Sequence, residues 1–276
     1  MHEIRPFGRD RSHAGRSLLF LEEVDSTNSY CLRHPELLGT PGLVVAARNQ
    51  RAGRGSKGRS WLSGAGGHLF CSFVLHPELD TNILTCMSLF CGLAVRRALI
   101  ALGLSQEKIR LKWPNDVMIA RRKAAGILCE LSWLGDGSSH GKRPVVVAGI
   151  GVNIKGGADQ FPEEVRPFVT TLEEAGLETT SEILLEYISS SLDQLLGEIY
   201  ETGPAHAFEE WNRHCLDRGA RVVVHADGNS TEGRLLGLDD QGRLVIEPLS
   251  EAITGDGDIR QDGRMAFIGG TLRYLQ

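Results

Sequence analysis

Two apolar runs, residues 42–48 (GLVVAAR) and 68–75 (HLFCSFVL), constrain this chain most, because a basic glycine-rich segment separates them. Each run is short and apolar nearly throughout, as a buried strand is, so the chain must hold a sheet with a long basic loop between two of its strands. That loop, residues 50–61 (QRAGRGSKGRSW), carries four cations and three glycines, and no Asp or Glu occurs from residue 37 to 77. Glycines let a backbone turn tightly and present bare N–H groups to an anion. Arg51, Arg54, Lys57 and Arg59 add charge, and arginine adds a forked donor shaped for phosphate or carboxylate. The loop is expected to receive a negative ligand and to take shape only around it.

The rest of the pattern sets the fold class. Residues 17–24 alternate as a strand does, and Asp25, Ser26, Thr27 and Asn28 supply capping side chains for a short helix toward Leu37. Residues 81–102 place Ile83, Leu84, Met87, Phe90, Ala94, Ala98 and Leu102 on one face and stop at Gly103, which predicts one long helix. Residues 109–112, 117–120 and 125–133 read as strands of a meander, 135–143 as a polar Gly/Ser loop, and 144–154 (PVVVAGIGVNI) as a buried strand. A second long helix is predicted over 181–200 and a third over 205–216. After Asp217 come short strands, 220–226, 232–239, 242–248 and 264–270, with turns such as 227–229 and 239–242 between them. The expectation is an α+β chain: a flexible N-terminal arm (1–17), a mixed sheet backed by helices (18–216), and a small β-barrel (217–276).

Several classes fall away. Residues 53–58 match GxGxxG, but the glycines lead into SWLSGAGG (60–67), which cannot be the helix a dinucleotide site requires. A net charge of −5 argues against general affinity for nucleic acid, so the basic loop is a local site. The first 17 residues lack an apolar core for a secretory signal. The best apolar window, 86–104, is interrupted by Arg96 and Arg97 and reads as a buried helix, not a membrane span. Six cysteines without a CxxC pair read as buried reduced thiols, which points to the cytoplasm.

Two further motifs carry chemistry. Lys112-Trp113-Pro114-Asn115-Asp116 has the residues of a simple hairpin turn, yet Lys112 and Asp116 also offer a charge pair at a strand edge. Lys123 precedes Ala124, Ala125 and Gly126, small residues that leave room beside its ammonium.

Ser26-Thr27-Asn28, Gln50 followed by GRGSKGRSW, KWPND, RKAAGIL with Glu130, and GIGVNI occur in the order and approximate spacing seen in biotin–protein ligases. The chain resembles that family over about residues 18–155. The resemblance implies a class II synthetase-like catalytic fold with an SH3-like C-terminal domain. It implies an ATP-dependent ligase that forms biotinyl-5'-AMP and passes biotin to a lysine of a biotin carboxyl carrier domain, with Mg²⁺ accompanying ATP on ligands that are not legible. Carried over residue by residue, biotin would meet Ser26, Thr27, Asn28, Gln50, Arg54, Gly55, Ser56, Lys123 and Gly126. ATP or the adenylate would meet Arg54, Lys57, Arg59, Trp61, Lys112, Asn115, Lys123 and, through adenine, Asn153. Catalysis would rest on Lys123, Arg54, Lys112 and Asp116, with Asp116 orienting either Lys112 or the acceptor amine. The family most often reads GRGRxGR; Ser56 stands where the second arginine falls, which implies faster leakage of the adenylate. The residues before the first strand are too few for a helix-turn-helix domain, so a monofunctional enzyme without DNA binding is expected, as a monomer or homodimer. The alternatives are a ligase for lipoate or another short acid on the same fold and, more remotely, a nucleic-acid-binding module.

Overall fold

The central strands are apolar on both faces because both faces are covered. The computed structural model describes residues 3–8, 10–62, 67–135, 142–226, 228–249, 257–260 and 262–274. Residues 136–141 of the expected Gly/Ser loop, residue 227 of an expected turn, and residues 63–66 after the basic loop lie outside the described residues. Strands β1 (Ile4–Pro6), β2 (Ser17–Val24), β3 (Leu43–Gln50), β4 (Leu69–Leu75), β5 (Ile109–Lys112), β6 (Asp116–Ile119), β7 (Arg122–Leu134) and β8 (Arg143–Val152) form one sheet in the order β1-β2-β3-β4-β8-β7-β6-β5. β2 and β3 run parallel and β3 and β4 antiparallel, so the sheet is mixed as expected.

On one face, Val44, Ala46, Phe73, Ala148 and Ile150 pack under helices α3 (Thr81–Leu84), α4 (Met87–Ala101) and α5 (Ser181–Thr202). On the other, Leu43, Val45, Val74, Val145 and Val147 meet Cys31 of α1 (Thr27–Arg33) and Leu37 and Leu38 of α2 (Pro35–Leu38). Helix α6 (Ala205–Arg213) then leads to the second sheet. That sheet is wholly antiparallel: β9 (Arg221–Ala226), β10 (Asn229–Leu238), β11 (Leu244–Pro248), β12 (Asp258–Ile259), β13 (Met265–Phe267) and β14 (Thr271–Tyr274), in the order β12-β13-β11-β10-β9-β14.

Three expectations are corrected. The helix expected to run toward Leu37 breaks after Arg33, because Pro35 disfavours helical geometry at His34 and instead opens a new helix at its first position. The helix expected over 81–102 is split at Thr85 and Cys86. The Thr85 hydroxyl donates back to the Asn82 carbonyl at 2.7 Å, and the Cys86 and Leu89 amides make tighter bonds three residues back. The N-terminal arm expected to be flexible is tied down: β1 pairs with β2, and the Asp193 carboxylate on α5 accepts three successive backbone amides, from Ser12, His13 and Ala14.

Candidate active site

Toward α1, the sheet loses its side chains where β7 meets β8. Gly126 lies opposite Gly151, and Leu128 opposite Gly149. A Cβ on Gly126 or Gly151 would come within 2.6 Å of the Trp61 indole, and one on Gly149 would strike the Asn28 amide. The three missing side chains make way for Trp61, Lys123 and Asn28, and the glycines line a cavity between these strands, the start of α1 and the basic loop.

The loop forms a compact turn. The Gly55 amide donates to Arg59 O at 2.7 Å and the Trp61 amide to Gly53 O at 2.8 Å, making a small hairpin with Arg54 opposite Ser60. Lys57, at its tip, has φ 58° and points into solvent. Trp61 folds back beneath the hairpin, where its Nε1 is buried and has no hydrogen-bond partner among the described residues.

Lys123 owes its position to a β-bulge. β6 and β7 pair Asp116 with Gly126 and Val117 with Ala125, then skip a residue and pair Met118 with Lys123. With unbroken alternation Lys123 would share the core-facing side of Ala125 and Ile127; the extra residue returns it to the side of Gly126. Its stem passes over Gly126, and its Nζ lies 5.3 Å from the centre of the Trp61 ring and 2.5 Å from Asp116 Oδ1. Asp116 therefore pairs with Lys123 and not with Lys112. Lys112 turns toward the second sheet, 5.4 Å from the Tyr274 ring, and burial there lowers its pKa.

At the other end the wall is polar. The Gln50 side-chain oxygen accepts from the Thr27 amide at 2.8 Å, and Ser26 caps α1. Asn28 donates to Leu128 O and Glu130 Oε2, both at 2.9 Å, and accepts from Ser72 Oγ at 2.6 Å. Arg54 grips Glu130 in a forked pair at 2.8 and 3.1 Å. Arg59 donates to Ser56 Oγ at 2.9 Å.

Twelve of the residues expected in the site therefore meet in one cavity: Ser26, Thr27, Asn28, Gln50, Arg54, Gly55, Ser56, Arg59, Trp61, Asn115, Lys123 and Gly126. Lys57, Lys112, Asp116 and Asn153 are not among its lining residues. Asp116 reaches it only through Lys123. Asn153, expected to meet adenine, is buried: its amide nitrogen donates to Thr170 O at 3.1 Å and its backbone amide to Ala124 O at 2.9 Å, bracing the bulge behind Lys123. Ser72 was not among the expected residues, although a lone hydroxyl inside the run HLFCSFVL is itself a signal, since a buried polar group needs partners. Gly149 and Gly151 stood in the GIGVNI motif and in an apolar strand, but neither was named as a site residue.

The profile described as the Biotin/lipoate A/B protein ligase family matches residues 20–142. The biotin–[acetyl-CoA-carboxylase] ligase of Paracoccus denitrificans is 32% identical over 230 residues, covering 82% of this chain and 92% of that protein. The bifunctional ligase/repressor BirA of Escherichia coli is 32% identical, over 84% of this chain and 70% of its own length. Among solved structures, the biotin protein ligase of Aquifex aeolicus in complex with biotin and ATP superimposes with a TM-score of 0.75 at 27% identity, covering 94% of this chain and 99% of that one.

Proposed function

The chain belongs to the biotin–protein ligase family, and from that premise we propose that it joins biotin to ATP and passes biotin to a lysine of a biotin carboxyl carrier domain. The observation that carries this reading is a single cavity with hydrogen-bonding groups at one end and an ammonium at the other. Thr27, Ser26 and Gln50 offer donors and acceptors to a ureido ring, and Lys123 stands beneath Trp61 where a carboxylate would arrive. The glycine pair between them lets the Trp61 indole and the Lys123 stem close down onto the sheet at that point.

In the first step a carboxylate oxygen of biotin attacks the α-phosphorus of ATP. The bond to the β-phosphate oxygen breaks, and pyrophosphate leaves. Bringing two anions together is the main cost, and Lys123 offsets it for both the carboxylate and the phosphate. Loss of one such contact slows a reaction by about 10²–10³. Trp61 Nε1, unpaired and buried, is a donor awaiting an oxygen of the adenylate. In the second step a neutral lysine amine of the carrier attacks the acyl carbon, the acyl–phosphate bond breaks, AMP departs, and the amine releases a proton. Asp116 holds Lys123 in place for both steps. Arg59 and Lys57 are the cations left to meet the nucleotide phosphates, and Lys112 reaches them only by leaving Tyr274.

Among the described residues, no three His, Cys, Asp or Glu side chains converge on a point suited to a metal ion. The residues present do not by themselves form a magnesium cage, so Mg²⁺ would enter on the phosphates of ATP. No helix among the described residues is long and apolar enough to cross a membrane. The six cysteines are all unpaired, and burial pushes the thiols of Cys31 and Cys215 up to about 12, which suits the reducing cytoplasm. The negative net charge favours an enzyme without operator binding.

Incubation with biotin, ATP and a carrier domain should give a mass increase on the carrier that vanishes when any one component is omitted. Lipoate in place of biotin should give none, because its dithiolane leaves the polar end of the cavity unpaired, at about 1–3 kcal/mol per group. Modification by lipoate and not by biotin contradicts the reading.

A further inference from the structure

Arg54 does not point its charge into the cavity. Its guanidinium is spent on the wall, with Nη2 on Glu130 Oε1 at 2.8 Å, Nη1 on Glu130 Oε2 at 3.1 Å, and Nη1 also 3.2 Å from Ser29 Oγ. An exposed ion pair alone would mean little. This one does not end at the surface: Arg54 is 45% exposed, Glu130 is 23% exposed, and Asn28, the next partner inward, is 3% exposed.

The hydrogens can be counted along the chain of partners. A carboxylate only accepts, so Glu130 takes one Asn28 amide hydrogen, and the Leu128 carbonyl takes the other. Asn28 Oδ1 can then only accept, which commits the single Ser72 hydroxyl hydrogen to it. Ser72 Oγ is left as an acceptor facing Thr27 Oγ1 at 2.7 Å, and the Thr27 amide holds Gln50 at the start of the loop. The ring closes: Gln50 and Arg54 bracket the first limb of the loop, and both are fastened to the wall through the same buried line of groups.

The geometry points to Glu130 as a positioning residue, the fixed end of a latch that holds the loop shut over the ureido end of the cavity through Arg54. This rests on the biotin-ligase reading, and it moves Arg54 from phosphate neutralisation to loop closure. Removing the latch should therefore weaken capture of biotin more than capture of ATP, whose contacts lie farther along the same loop.

The test compares wild type with E130Q, E130D and the double variant R54A/E130Q. E130Q removes the charge while keeping an acceptor; it should raise KM for biotin by up to about tenfold and KM for ATP by less, since charge-assisted hydrogen bonds are roughly twice as strong as neutral ones. E130D keeps the charge and should restore most of the affinity, and R54A should add little to E130Q because both break one latch. Without ligand, trypsin should cut the loop at residues 51–59 faster in E130Q than in wild type, and saturating biotin should remove the difference. A shift in KM for ATP with none in KM for biotin overturns the latch, as do equal cleavage rates. If E130Q does not fold, E130D and a single R54A variant against wild type in the cleavage assay decide, with an E130D rate below that of R54A expected and one equal to R54A contradicting the latch. Failure of wild type to biotinylate a carrier would count against the biotin reading itself, whereas the ligand-free cleavage rates report on the latch independently.

Discussion

Lys123, paired with Asp116, lines one end of the cavity, and the bulge that turns it toward Gly126 is what brings it there. Lys123→Ala should leave the melting temperature within a few degrees and slow biotin-dependent pyrophosphate release by about 10²–10³, the effect of losing one preorganised charge; an unchanged rate would remove Lys123 from the chemistry. Ser56 offers a different test. Arg59 folds back onto it at 2.9 Å, so a bound phosphate would have to draw this cation away from the Ser56 hydroxyl or share it. Ser56→Arg should repel Arg59 toward the cavity and slow the release of preformed biotinyl-adenylate, and equal release rates in the two proteins would refute this. The RKAAGIL motif singled out Lys123, and that lysine lines the cavity. The directions in which Lys112 and Asn153 turn were not legible, since a motif gives the residue type at a position but not which way a side chain points once a second sheet or a buried carbonyl competes for it.

Among the elements, the strands were plain because two covered faces produce nearly unbroken apolar runs. The helix breaks at Pro35 and at Thr85–Cys86 were not, because apolar spacing persists across a kink while the hydrogen-bond ladder does not. The glycine pair between β7 and β8 gives a sharp expectation. Gly151→Ala places a methyl within 2.6 Å of Trp61, so biotin binding measured by calorimetry should weaken by tenfold or so while the protein still folds, a rearrangement costing roughly 1–3 kcal/mol; undiminished affinity would mean that Trp61 does not need that space. The junction after α6 gives another. Burial and the nearby Arg96 lower the His214 pKa to about 4. The folded state therefore resists a proton that the unfolded chain takes up near 6.5, and stability should fall as pH drops from about 6.5 to 4. His214→Gln should flatten the melting temperature over that window, and an equal slope in both proteins would assign the loss to other groups.

In the molecule as a whole, the second sheet is built against the KWPND turn. Leu111 exchanges backbone bonds with His214 and Leu216, Arg121 pairs with Asp217 at 2.5 Å, Lys112 lies over Tyr274, and Trp113 packs on Gly270. The switch to short strands after Asp217 was readable from spacing; that this sheet would claim Lys112 was not, because the contact joins residues more than a hundred positions apart. A crystal structure of the protein with biotin and a non-hydrolysable ATP analogue examines the mechanism at its source. The ureido ring should lie against Thr27 and Gln50, and the carboxylate should lie within hydrogen-bonding distance of Lys123 Nζ beneath Trp61. Biotin bound elsewhere, or bound in this cavity with its carboxylate turned away from Lys123, would contradict the mechanism.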